Sequence, residues 1–302
     1  MSSYKDTEES ILELFKESKE FIFEQENYEI INIGKPRPNN SGECKTDIYI
    51  LTKNLSTCLP REFKISIKQT NADFLGNKIK LERAIEIFGD DAKDIMIKSI
   101  KSIKESFFSD KLICFKKHKR TDEKCLKIGW RFDLLNKKGG DKSGLLVLTD
   151  EQKVDIYSGS NTNIVKKNSI VNGSVVINSG VANFILIVED TDEELDFYIN
   201  NLKSIKEFAI TKDIYFACKA INYRTKSKKS NPWDGDRSLS VFIKWSLVNK
   251  ILFAEFVMDK PLEVKANIVG NNIRDILNKL NISSKNFNEL KKIMDKNINF
   301  AE

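Results

Sequence analysis

A mixed α/β fold with a β-rich second half is what this sequence predicts. Three observations carry it. An acidic amphipathic stretch opens the chain, two alternating apolar runs follow a breaker containing proline and glycine, and short β-type runs crowd the remainder. The 302 residues are 40% hydrophobic and 31% charged, a globular composition long enough for one large domain or two ordinary ones.

Residues 7–23 read as a helix. Asp6 can cap it, Glu9 stands three residues on as in a capping box, and Ile11, Leu12, Leu14 and Phe15 supply an apolar side. A short strand is expected over 29–33. The breaker GKPRPNNSGECK then leads into strand patterns at 46–51 and 62–67, separated by the turn-like NLSTCLP. From 73 to 107 the pattern is helical, with Phe74, Ile79, Leu81, Ala84, Ile85 and Phe88 on one face and a break at Gly89. A strand at 111–115 follows.

Further on, short strands are expected at 144–148, 154–157, 174–177 and 182–188, and a helix at 193–203. Three longer β-rich runs cover 214–223, 238–248 and 251–258, the last two joined by Asn249-Lys250 as a tight hairpin. Short helices at 272–280 and 285–296 close the chain. The expected division is 1–120 and 121–302, with the boundary after the basic run KKHKR.

Composition narrows the function classes. No apolar run approaches the roughly 18 residues that span a bilayer, and the acidic start lacks the form of a secretion signal. The five cysteines are scattered, and His118 is the only histidine, which argues against a structural zinc site or histidine-based catalysis. Reduced thiols in a cytoplasmic protein with no membrane partner are the expectation. The excess of Lys and Arg over Asp and Glu, 50 to 44, is too small to identify an acidic partner without local clustering.

One constellation carries chemistry. Asp47 begins a strand directly after the breaker loop. Glu62 and Lys64 flank Phe63 on the next strand, so their side chains share a face. If the two strands pair as a hairpin, Asp47 sits beside Glu62 at the open end of the sheet. Two carboxylates there suit magnesium, and a lysine one strand step away can orient an attacking water and offset phosphate charge. Charged residues on strands ordinarily face water. Here the acid follows a Pro/Gly-rich loop, and the E-x-K lies in an otherwise core-like run.

On Thr46-Asp47, Glu62-Phe63-Lys64 and Gln69, with a glutamate-rich leading helix and a trailing helix, residues 5–90 resemble the PD-(D/E)XK nuclease superfamily and its type II restriction endonucleases. KTD stands where the usual proline–aspartate would be. The resemblance implies a restriction-endonuclease-like α-β-β-α core with a mixed sheet, followed by a β-rich region for recognition and dimerisation. It implies sequence-specific hydrolysis of double-stranded DNA, with magnesium as cofactor, manganese as its substitute, and a homodimer to cut both strands. Asp47, Glu62 and the main-chain carbonyl of Phe63 would bind the metal, and Lys64 would position the water. A further acid from the first helix is expected, Glu13 or Glu17 being preferred within the ladder Glu9, Glu13, Glu17, and Glu43 competes with them.

DNA contacts are expected from Lys35 and Arg37 before Asp47, and from Lys68 and Gln69 after the catalytic strand. The loop RTKSKKSNPWDGDR offers Arg224, Lys226, Lys228, Lys229 and Arg237 to phosphates and Trp233 as a stacking wedge, or else folds back as an ordinary hairpin loop. The basic run containing His118 is a further phosphate contact or a solvated face. The Asn-rich stretch 158–183 reads adenine or is a series of turns. A repair or structure-specific nuclease of the same fold, and a DNA-binding protein without catalysis, are the alternative readings.

Overall fold

In a computed structural model, residues 4–39, 42–70, 74–189 and 193–302 are described. Contacts group the chain into two units, 1–73 with 148–212 and 74–147 with 213–302. A single cut at 120 does not separate them. The strand Phe74–Gly76 pairs with Cys125–Leu135 in the second unit, and Phe184–Val188 pairs with Pro60–Gln69 in the first.

The first unit opens with α1 (Tyr4–Glu17), whose Ile11, Leu12 and Phe15 fall on one buried stripe. Asp6 lies in its first turn rather than at the cap, where its charge complements the helix dipole. The helix ends earlier than its apolar content suggests. Phe21 and Phe23 are buried in alternation with exposed Glu20 and Ile22, the period of a strand, and Glu20–Phe23 forms β1. Glu24 and Gln25 both take positive φ and turn the chain into β2 (Glu26–Gly34).

β2 runs antiparallel to β3 (Ile48–Asn54), and β3 antiparallel to β4 (Pro60–Gln69). The chain returns to this unit through α2 (Asp150–Ser158). Residues 154–157 are helical, not the expected strand, because Thr149 and Gln152 form a capping box and Gly159 closes the helix in the left-handed region. β5 (Phe184–Val188) then lies parallel to β4. After α3 (Leu195–Asn200), the short β6 (Lys203–Ser204) pairs with β5, and α4 (Ile205–Ile210) follows. The sheet order is β1-β2-β3-β4-β5-β6, mixed, with β4 central.

Alternation divides the sheet into two faces. Ile48, Ile50, Phe63, Ile65, Ile67, Phe184, Leu186 and Val188 pack with α1 and with Tyr198 and Ile199 of α3 in one core. Asp47, Tyr49, Glu62, Lys64, Ser66 and Lys68 belong to the other register. A mixed α/β architecture is therefore observed.

In the second unit, Cys125–Leu135 is the central strand and is buried almost throughout. It pairs with Tyr215–Arg224 over its full length, and with Val241–Val248, Phe74–Gly76 and Ile113–Cys114 in part. Val241–Val248 and Ile251–Val257 form the expected hairpin, with Asn249 at φ 50° and Lys250 at φ 64°. Where a helix was expected from residue 73, Phe74–Gly76 is strand and the helices are Leu81–Phe88 and Ala92–Ser102; Asp73 lies outside the described residues. No helix among the described residues is long and apolar enough to cross a membrane.

Candidate active site

Register decides which of the expected residues meet. Ile48 stands opposite Ile65, Tyr49 opposite Lys64 and Leu51 opposite Glu62, while the Asp47 amide donates to the Ile65 carbonyl at 2.8 Å. The next rung places Asp47 across from Ser66. Glu62 is therefore four residues along the strand from the Asp47 rung, about 13 Å at 3.3 Å per residue. The hairpin forms as expected, but its five-residue connection sets a register that separates these two carboxylates. Glu62 instead accepts from the Tyr49 hydroxyl at 2.7 Å and pairs with Lys64 at 3.1 Å. Phe63 lies opposite Ile50 with its ring in the core, so its carbonyl is also remote from Asp47.

A different group gathers around Asp47. Its Oδ2 accepts from the Ile67 amide at 2.7 Å, where β4 runs on past the start of β3, and lies 3.5 Å from the Ser66 hydroxyl. Lys68 Nζ stands 3.7 Å from the same oxygen and donates to the Ile67 carbonyl at 2.8 Å. Lys35, the first residue after β2, forms an ion pair with Glu8 of α1. Glu8 is buried because it shares the inner stripe of Ile11, Leu12 and Phe15, whereas Glu9, Glu13 and Glu17 face solvent. Next to it, Thr7 accepts a hydrogen bond from Gln69 at 3.1 Å. The start of the helix is thereby tied to the end of β4.

Electrostatics couple the two acids. Burial pushes the Glu8 carboxyl above the ordinary carboxylate range and the Asp47 charge pushes it further, against the pull of Lys35 and Lys68. Burial likewise raises Asp47, offset by Lys68, the Ile67 amide, Lys35 and Lys45. Glu8, Asp47, Lys35 and Lys68 thus form one charge cluster, with Lys45 acting on it, at the end of the sheet where α1 meets β3 and β4. Compared with protein-family models, with curated proteins and with solved structures, the chain matches none.

The cluster offers a metal oxygen donors only. Among the described residues no three or more His, Cys, Asp or Glu side chains group as a metal site, so an all-protein cage is not offered. Two hard carboxylates whose mutual repulsion a cation would relieve match magnesium, which takes one or two carboxylates and completes its shell with water and substrate phosphate.

The structure places the remaining expected residues as follows. Glu13 and Glu17 line an open groove of about 740 Å³ with Asp6, Glu9 and Glu193, on the outer side of α1 and away from Asp47. Glu43 is exposed in its loop. Arg37 is exposed, and its backbone bridges Ile170 in both directions. The Asn-rich stretch is a buttress: Asn172 bonds Asn32 and the Ile33 carbonyl, and Gly180 accepts from the Lys45 amide two residues before Asp47. A Cβ at Gly180 would meet the Lys166 carbonyl at 1.9 Å, so only glycine permits that approach.

The loop 224–237 belongs to the second unit, and much of its charge is internally paired. Arg224 forms a bidentate pair with Asp234 at 2.9 and 3.0 Å, and Lys226 pairs with Glu123. Trp233 is not a free wedge. It is 5% exposed, tilted against Tyr223 and Arg274, and so close to Gly270 that a Cβ there would clash at 2.7 Å. Arg237 is half-buried and its carbonyl receives the first amide of the helix Ala266–Lys279. Lys228 and Lys229 remain exposed. His118 closes a small turn with Thr121.

Proposed function

We propose that this chain is a magnesium-dependent phosphodiesterase that cleaves double-stranded DNA, of the type II restriction class, with Glu8, Asp47 and Lys68 at its site. The observation supporting this is the meeting of a buried carboxylate, a half-buried one and a lysine where the leading helix joins the end of a mixed sheet. Lys68 takes the part first expected of Lys64: both share the register face of Asp47, but Lys68 reaches its carboxylate while Lys64 pairs with Glu62.

Magnesium, when bound, supplies positive charge against the scissile phosphate and makes water a better nucleophile. Asp47 and Glu8 would hold the ion, with manganese able to replace it. Lys68, anchored by the Ile67 carbonyl, orients the attacking water and offsets charge developing on the phosphate. Lys35 and Arg37 stand on the approach to the same sheet end, and Lys228 and Lys229 offer further phosphate contacts. Cleavage of both strands implies a homodimer. A DNA-binding protein without catalysis is favoured by one observation, that the carboxylates of the cluster already have cationic partners.

The test is digestion of unmethylated phage DNA by the full chain in magnesium and in calcium, with sequencing of fragment ends. Discrete ends in magnesium alone support the reading, and scattered ends point to a repair or structure-specific nuclease. Asp47→Asn and Lys68→Met should each lower the cleavage rate about a hundredfold or more while duplex binding persists. Lys64→Met should leave the rate unchanged. Binding without cleavage by the wild type establishes the non-catalytic alternative.

A further inference from the structure

We infer that Lys35 is a switching cation of this site: it holds Glu8 while no metal is bound, and transfers to a DNA phosphate when magnesium takes the carboxylate. This rests on the metal-dependent reading above.

The two ion pairs of the cluster are not equivalent. Glu8 is fixed on a buried helix stripe with its side chain 7% exposed, whereas the Lys35 side chain is 32% exposed. Lys35 follows the last residue of β2, where the chain leaves the sheet for the breaker loop. Its ammonium sits on a flexible four-carbon stem with an open path to solvent. Lys68 lies within β4, and its ammonium is tethered to the Ile67 carbonyl as well as facing Asp47. Of the two cations, Lys35 is the one that can leave.

It also has a reason to leave. The paired ammonium groups neutralise both carboxylates, so a divalent cation entering between Glu8 and Asp47 meets Lys35 and Lys68 at salt-bridge range. That repulsion weakens metal binding to the empty protein. A phosphodiester relieves it, because the anion can receive the Lys35 ammonium as the metal displaces it from Glu8. Metal and DNA must then bind cooperatively, each improving the other's affinity by the same factor. The protein would take up its metal chiefly on DNA.

The experiment measures manganese binding to the full chain by electron paramagnetic resonance without DNA, for wild type, Lys35→Met and Lys35→Arg. Lys35→Met should bind manganese roughly tenfold more tightly, within the range usual for coupled sites. Lys35→Arg keeps the charge and should match the wild type, which separates the effect from loss of folding. In parallel, duplex binding is followed by anisotropy in calcium, which does not support cleavage, and in chelator. Calcium should strengthen wild-type binding more than that of Lys35→Met, and the variant's salt slope in calcium should fall by about one phosphate contact. Equal or weaker manganese binding by Lys35→Met overturns the switch and leaves the metal site standing. If neither protein binds manganese at millimolar concentration, the metal-dependent reading itself falls, and the switch with it.

Discussion

Asp47, half-buried, and Cys218, fully enclosed, show how differently two ionisable groups are treated. Asp47 is held where burial disfavours its charge, and three lysines and a backbone amide partly restore it. A fold gains nothing from such an arrangement that an asparagine would not supply, since an amide oxygen could equally cap the Ile67 amide. Retention of a penalised carboxylate beside a second one is the pattern expected of a functional group. Cys218 has no such company. It is enclosed in the second unit, with the Ser240 hydroxyl at 3.6 Å, and burial pushes its thiol up to about 12 from an ordinary 9.0. Between those values the folded chain keeps a proton that the unfolded chain has lost. The folded state therefore binds more protons there, and stability falls as pH rises above 9. Cys218→Ala removes that contribution. Urea unfolding at pH 8 and pH 10 should show the wild type losing on the order of 1 kcal/mol more than the variant over this interval. Equal losses would mean the thiol is not buried as described.

At the scale of elements, α2 depends on a local device. Thr149 and Gln152 exchange side-chain and backbone hydrogen bonds across the first turn, and the helix they start buries Ile156 and Tyr157. Thr149→Ala should cost about 1 kcal/mol, read from the urea midpoint at constant slope, with Thr149→Ser recovering most of it. That capping box was present in the sequence as TDEQ, yet the alternation of Val154, Ile156 and their neighbours suggested a strand. The hairpins were easier to read, because both turn and pattern are local: Asn249-Lys250 and the two strands it joins stand where expected. Asp47 stands out for the same reason, as the first charged residue after a breaker. Its partners do not. Whether Asp47 faces Glu62 or Ser66 depends on a β3–β4 register that the loop NLSTCLP does not reveal. Glu8 differs from Glu9 only by which side of α1 it occupies, and that is settled by the sheet beneath. One feature in the sequence does distinguish it: Glu8 continues the i, i+3, i+4, i+7 stripe of Ile11, Leu12 and Phe15, while Glu9, Glu13 and Glu17 lie on the opposite ladder.

At the scale of the molecule, the chain crosses three times between its two units, and no composition shift marks the crossings. β4 finds its parallel neighbour β5 more than a hundred residues later, a pairing that no local pattern encodes. The consequence can be tested by cutting the chain at the exposed Lys119–Arg120 turn. The piece 1–120 keeps α1 and β1 to β4 but loses Phe184, Leu186, Val188, Tyr198, Ile199 and Leu202 from the core those elements form. It also leaves the open edge of β4 unpaired, an invitation to aggregate. The piece 121–302 keeps Cys125–Leu135 but loses the strands Phe74–Gly76 and Ile113–Cys114 that pair with it. Neither piece retains a whole unit, so neither should give a cooperative thermal transition or near-ultraviolet circular dichroism by itself. Expressed together they should associate and melt in a sigmoidal transition, because the break falls in an exposed turn and removes no core residue. A cooperative melt of 1–120 alone would show that the first four strands form a self-sufficient core, and that β5 is an accessory to the site rather than part of what holds Asp47 in place.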